Sequence, residues 1–163
     1  MSLHEVLADR RSALVGQWVD RTLATYPPAT ARLMAAEADP FRNPAGHTLR
    51  ENLGVLFDAA ILSDDRDAAT RALGEIMRLR AVQDFTAAQA IGFIAMLKPI
   101  VRATVRRTLL PAEESAVNVR IDRLTETALG IYADCCRRMQ KIRANELERR
   151  TWALTRVRRT THP

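Results

Sequence analysis

"VNVRIDRLTETALGIYADC", residues 117–135, decides the fold class. Val117, Ile121, Leu124, Ala128, Ile131 and Cys135 alternate four and three residues apart, the spacing of a packed or supercoiled helical seam. A half-buried strand would instead alternate at every second residue. From about 112 to 158 the chain has no proline and one glycine, Gly130. The spacing therefore predicts one helix which, unbroken, would run ~70 Å at 1.5 Å per residue. That exceeds the diameter of so small a domain, so its last part should protrude, break or pack on another subunit. After Ile142 the seam loses phase and returns around Leu147, Leu154 and Val157.

Upstream, the pattern stays helical. Leu3, Leu7, Leu14 and Trp18 form a stripe over residues 3–25, and Tyr26-Pro27-Pro28 ends it because residues before proline avoid the α region. A short alanine-rich piece follows at 29–37. "DPFRNPAGHTLREN", residues 39–52, then places two prolines, a glycine and a histidine within eight positions. Asp39-Pro40 predicts one helical turn over Phe41 and Arg42, which Asn43-Pro44 stops. Thr48 to Glu51 reads as a capping box opening a helix to about Leu62. Another helix is expected over 65–80. A second capping box, Thr86 to Gln89, opens a helix over 87–109, kinked near Pro99 where a backbone donor is missing. No strand-like alternation competes, and the fold class is all-α.

At 163 residues, 47% hydrophobic and 27% charged, the chain fits one globular domain able to bury a core. No apolar run is expected to reach the length of a membrane span, and the N-terminus does not read as a signal peptide. The expectation is a cytoplasmic protein. The adjacent Cys135 and Cys136 make no disulfide framework, in keeping with a reducing compartment. Charge is uneven. Residues 137–159 hold nine of the 25 basic residues against only Glu146 and Glu148, so the net +6 belongs to the C-terminal tail. Such asymmetry points to an acidic protein surface or a polyanion.

Catalytic chemistry finds little support. His4 and His162 lie near the chain ends and His47 precedes an expected helix start, so no two histidines share a helix face for zinc and none suits a haem ligand. Cys135 reads as a small core residue. No phosphate loop, nucleophile elbow or triad-like grouping appears. Neither an enzyme nor a resident cofactor or metal is expected.

Two polar groups remain. Arg80, Gln83 and Asp84 in "RLRAVQDFT" are either corner capping or a polar wall, joined by Phe41, Arg42, Asn43 and His47 as a ligand or structural corner. If Phe41 plugs the core, its truncation should cost ~3 kcal/mol. The basic tail offers Arg149, Arg150, Trp152 and Arg156 as docking residues. It reads as a solvated face of a dimer helix or as a dock for an acidic-surfaced signalling or effector protein. Nucleic acid is the alternative, although aromatics and lysines are sparse for it.

"TYPP", "DPFRNPAGHTLREN", "RLRAVQDFTAAQAIGF" and "IRANELERRTW", in that order, resemble the RsbRD N-terminal domain family, the sensory module of RsbR-type stressosome proteins. The resemblance implies a globin-like helical domain without haem, dimeric, whose long last helix carries a signal onward. On that basis residues 1–143 form the sensor domain and 144–163 a basic helical extension. The sequence ends at Pro163 without a following output domain, so the expected output is a separate protein.

Overall fold

The computed structural model describes residues 2–36, 39, 41–83, 85–105 and 111–160, with the side chains of 111 and 154–160 excepted. Every regular element among them is helical: α1 (Leu3–Asp9), α2 (Arg11–Leu23), α3 (Pro28–Ala36), α4 (Pro44–Phe57), a π-helical turn (Asp58–Leu62), α5 (Arg66–Val82), α6 (Ala87–Ala95), α7 (Leu97–Val105) and α8 (Pro111–Thr160). α4 packs on α5, and α5 and α6 pack along α8, enclosing a core that includes Trp18, Leu53, Phe57, Ile76 and Phe93.

The expected first helix is divided at Arg10, which closes α1 and precedes α2. No proline or glycine marks that break. It follows from tertiary packing, since α1 docks on α7 and the π-helical turn. Arg11 is the first residue of α2, and its guanidinium takes both Asp58 carboxylate oxygens, at 2.5 and 2.7 Å. That pairing holds the Arg11 charge more firmly than usual, raising its pKa against a smaller desolvation effect.

α4 begins at Pro44, not at the Thr48 capping box. Asn43 accepts from the Gly46 N–H at 2.9 Å and Pro44 supplies a preset φ, so a stronger start lies one turn earlier and Thr48 falls inside the helix. Asn43 also donates to the Met34 carbonyl at 2.8 Å, and Arg50 donates to the same oxygen. These bonds satisfy the C-terminal end of α3, whose last carbonyls have no helical partners. Gly46 is required by this closeness: a Cβ there would lie 2.3 Å from Asn43 Nδ2 and 2.6 Å from the Met34 carbonyl. The turn expected from Asp39 is present, with Arg42 and Asn43 N–H groups donating to the Asp39 carbonyl. Phe41, however, is 93% exposed. It does not plug the core, because Asn43 and not Phe41 ties this corner to α3.

The Thr86–Gln89 capping box opens α6 as read from the sequence. The kink becomes a break at Met96. Pro99 falls in the first turn of α7, where its missing N–H costs no helical bond. Trp18 donates its indole N–H to the Phe93 carbonyl at 2.7 Å, in the last turn of α6 where acceptors run short of helical donors. Contrary to the sequence reading, Ala87–Val105 is long and apolar enough to cross a membrane by composition, at mean hydropathy 1.3. In the fold it is two helices, with α7 against α2 and α8 and Lys98 paired with Asp122 of α8.

α8 runs unbroken for 50 residues. Val117, Ile121, Leu124, Ala128 and Tyr132 are buried, so the seam belongs to the core of this chain. Cys135, Cys136 and Met139 are partly buried against it. From Gln140 onward every described side chain is exposed. The overlong helix does not break, and within this chain its last part protrudes from the domain.

Replacing Asn43 with alanine should cost about 1–3 kcal/mol, since it removes the helix cap and leaves the buried Gly46 N–H without its acceptor. Phe41→Ala should stay within about 0.5 kcal/mol of wild type. Urea denaturation of the two variants checks both; a larger loss for Phe41 would reverse the assignment of this corner.

Candidate functional site

Ala69, Ala72, Leu73, Ile76, Met77 and Arg80 line the buried face of α5 at three- and four-residue intervals. Arg80 therefore enters the core with its own helix, and it is fully buried. Its guanidinium carbon lies 5.1 Å from the Tyr26 ring centre and 4.9 Å from both Phe85 and Phe93. Nη1 donates to the Gln89 carbonyl at 3.0 Å and Nη2 to Thr25 Oγ1 at 3.2 Å.

Among the described residues no carboxylate pairs with this charge. Burying an unpaired cation is costly. Three features offset that cost: the negative faces of three aromatic rings, the α6 carbonyls, and the C-terminal dipole of α5, in whose last turn Arg80 sits. Burial still pushes its pKa down, with Tyr26 opposing.

By hydrogen-bond geometry three buried polar atoms around it lack partners, Arg80 Nε, Tyr26 Oη and Gln83 Oε1, although the Tyr26 hydroxyl lies close enough to the guanidinium for each to shift the other's pKa. Tyr26 meets Phe85 edge to face, with ring centres 5.1 Å apart at 84°. Thr25, Tyr26, Pro27, Thr30, Gln83, Phe85 and Gln89 line a groove of about 670 Å³; Arg80 is separated from it by the residues that bury it. Behind it, Tyr132 of α8 donates its hydroxyl to the Phe85 carbonyl. The corner between α5 and α6 is thus bonded to the long helix.

The sequence candidates divide between two neighbourhoods. Arg80 and Gln83 belong to the centre just described, and Asp84 lies outside the described residues. None of Arg80's ring or hydrogen-bond partners comes from residues 41–47. There, Phe41 and Arg42 are exposed, Asn43 is a buried cap, and His47 lies 3.4 Å from Glu51 on the outer face of α4. On α8, Arg149, Arg150 and Trp152 are exposed, while the Arg156 side chain lies outside the described residues. The described residues hold no group of three or more metal-ligating side chains.

Tyr26, Phe85 and Phe93 escaped the sequence reading as parts of a site. A signal existed: Arg80 falls in phase with the apolar stripe of α5, so its charge had to be met inside the core.

A family model, the RsbT co-antagonist protein RsbRD N-terminal domain, matches residues 12–147. The chain belongs to this family. No curated protein and no solved structure matches it. The RsbRD N-terminal domain is a sensory or regulatory domain associated with stressosome signalling, not a catalytic one. The matched span contains the whole Arg80 centre and stops short of Arg149, Arg150, Trp152 and Arg156.

Arg80→Ala should destabilise this RsbRD domain by about 3–5 kcal/mol, because it empties the cage. Arg80→Met should lose less than about 2 kcal/mol, since it refills the volume and removes a desolvated charge. Chemical denaturation gives both values; equal losses would mean that charge, not volume, holds the three rings.

Tyr26 supplies a pH signature. Burial raises its pKa above the ordinary value near 10, and the Arg80 charge only partly offsets this. The folded state therefore keeps its proton where the unfolded state loses it. That stabilisation is complete below about pH 10 and lost as pH rises through the folded pKa. In a tyrosinate absorbance titration, Tyr26→Phe should remove a component titrating above the ordinary range.

Proposed function

We propose that this domain is a regulatory sensor whose signal leaves through α8 to a partner protein. The observation that carries the reading is the unbroken α8, packed in the core as far as Tyr132 and clear of it from Gln140. A helix continuous across that boundary links the domain interior to whatever its free end meets. Ile142, Leu147 and Trp152 are 61%, 63% and 63% exposed there, amid the basic excess of residues 137–159. Apolar side chains on a charged, projecting helix suit a covering protein surface.

Under this reading the domain works in the cytoplasm as a haem-free, globin-like dimer. The protruding parts of two α8 helices lie together, and Arg149, Arg150, Trp152 and Arg156 engage an acidic-surfaced partner. Membership of the RsbRD family makes an RsbT-related stressosome component the partner class. The second reading, docking on nucleic acid, draws on the same arginines and demands an affinity that falls steeply with salt as phosphate neutralisation releases counterions.

Truncation after Ile142 separates these possibilities. The shortened chain should keep its helical fold by circular dichroism, since nothing it loses is buried within the chain among the described residues. In capture from nuclease-treated lysate it should fail to retain an RsbT-related protein that the full chain retains. Equal capture by both baits would remove α8 as the output. Salt-steep binding of duplex DNA or RNA by the full chain alone would favour the second reading.

A further inference from the structure

Among the described residues, the buried side-chain polar atoms without a hydrogen-bond partner, Arg80 Nε, Tyr26 Oη and Gln83 Oε1, all lie at the Arg80 centre. Arg80 Nε–H can only donate, the Tyr26 hydroxyl can donate or accept, and Gln83 Oε1 can only accept. Buried polar atoms are nearly always paired, and three orphans at one corner are a pattern rather than scatter. The complement of such a set is an anionic oxygen group with a hydrogen-bond donor beside it. The walls narrow the class further. Tyr26, Pro27 and Phe85 present apolar and aromatic surface, and the groove of about 670 Å³ falls within the range of small-ligand sites. The one buried charge beneath it is positive and lacks a carboxylate among the described residues.

We infer that the groove between the end of α2 and the α5–α6 corner binds a small carboxylate carrying an adjacent hydroxyl or amino donor and an apolar body. The carboxylate takes hydrogen bonds from Tyr26 Oη and Arg80 Nε, the adjacent donor meets Gln83 Oε1, and the body lies on Pro27 and Phe85. Arg80 is fully covered, so entry requires the Phe85 ring to swing aside. Phe85 is the residue whose carbonyl holds Tyr132 of α8, so occupancy bears on the long helix through one hydrogen bond. That occupancy serves as an input rests on the regulatory reading above; that the groove binds such a ligand does not.

Mandelate is the probe, an aromatic α-hydroxy carboxylate, with methyl mandelate lacking the charge and benzoate lacking the hydroxyl. The full chain, labelled with ¹⁵N, is titrated while the Arg80 Nε–Hε resonance is followed. Mandelate should move it saturably, methyl mandelate should not, and benzoate should bind about tenfold more weakly, the loss of one good hydrogen bond. Tyr26→Phe, which keeps the ring and removes the hydroxyl alone, should weaken mandelate about tenfold. The amide spectrum reports its folding, and Gln83→Leu provides an independent variant for the acceptor. No saturable shift, an equal response to the ester, or unchanged affinity in both variants overturns the site. Equal affinity for benzoate overturns the assignment of the adjacent donor. Hydrogen exchange around Tyr132 separates the two claims. Saturable binding without altered exchange there keeps the site and removes its role as an input, while partner capture by α8 is tested by the truncation alone.

Discussion

The charge on Arg80 has no route to water, and much of the domain is arranged around that constraint. Thr25 and Tyr26 follow α2, Gln89, Ala90 and Phe93 belong to α6, and Phe85 lies between α5 and α6; all meet the guanidinium. A lysine could not substitute, because its point-like ammonium lacks the planar fork that reaches carbonyl and hydroxyl while lying against rings. Nearby, Trp18 stacks on Phe93 with ring centres 5.9 Å apart and bonds its carbonyl, so the cage is fixed on one side by α2. Tyr132 fixes the other side from α8. The core is therefore specified by directional contacts as well as by volume, and among the described residues its unsatisfied buried side-chain atoms gather at one corner.

How much of this was legible in the sequence depends on the range of the forces involved. The seam from Val117, the capping box at Thr86 and the prolines at 27 and 28 act within one or two helical turns, and their readings match the observed helices; Pro99, read as a kink, lies just after a full break at Met96. Where two local signals competed, the nearer start won: Asn43-Pro44 opened α4 before Thr48 could. Elements set by distant partners left weaker marks. The division at Arg10 follows the docking of α1 on α7, and the neighbouring Arg11 pairs with Asp58, 47 positions away. Phe41 misled because an aromatic between prolines resembles a plug, whereas the buried role fell to the polar Asn43. The candidate site was half legible. Arg80 and Gln83 stood out by type, but the rings around Arg80 come from segments up to 54 positions away, and residue type alone does not bring them together.

The apolar stretch from Ala87 to Val105 shows how composition and context part company. By hydropathy it could span a bilayer. Pro99 and the break at Met96 fold it into two short helices, and Lys98 reaches Asp122 on α8. The break also exposes carbonyls at the end of α6, one of which Trp18 uses. A straight helix would have no spare acceptor there, so the same proline that shapes α6 and α7 helps anchor α2, and with it Tyr26, beside Arg80.

On the proposed reading, a helix as long as α8 would convert small displacements at this corner into larger ones at its free end. Beyond Tyr132 it extends about 40 Å at 1.5 Å per residue, so a tilt of about 5° there would carry the tip roughly 3–4 Å. Such a shift is comparable to the spacing at which packed side chains exchange partners, so a paired surface would have to re-register rather than bend. The requirement is that α8 stay helical where nothing covers it. Its exposed section is rich in arginine, which favours helix on its own account. Isolated helices of that length are nevertheless marginal in water. A section so marginal gains most from a second surface, and its exposed Leu147 and Trp152 give that surface something apolar to cover. Stiffness of the lever and occupancy of its tip are therefore coupled: whatever binds the end of α8 also strengthens its connection to Tyr132, Phe85 and the buried charge behind them.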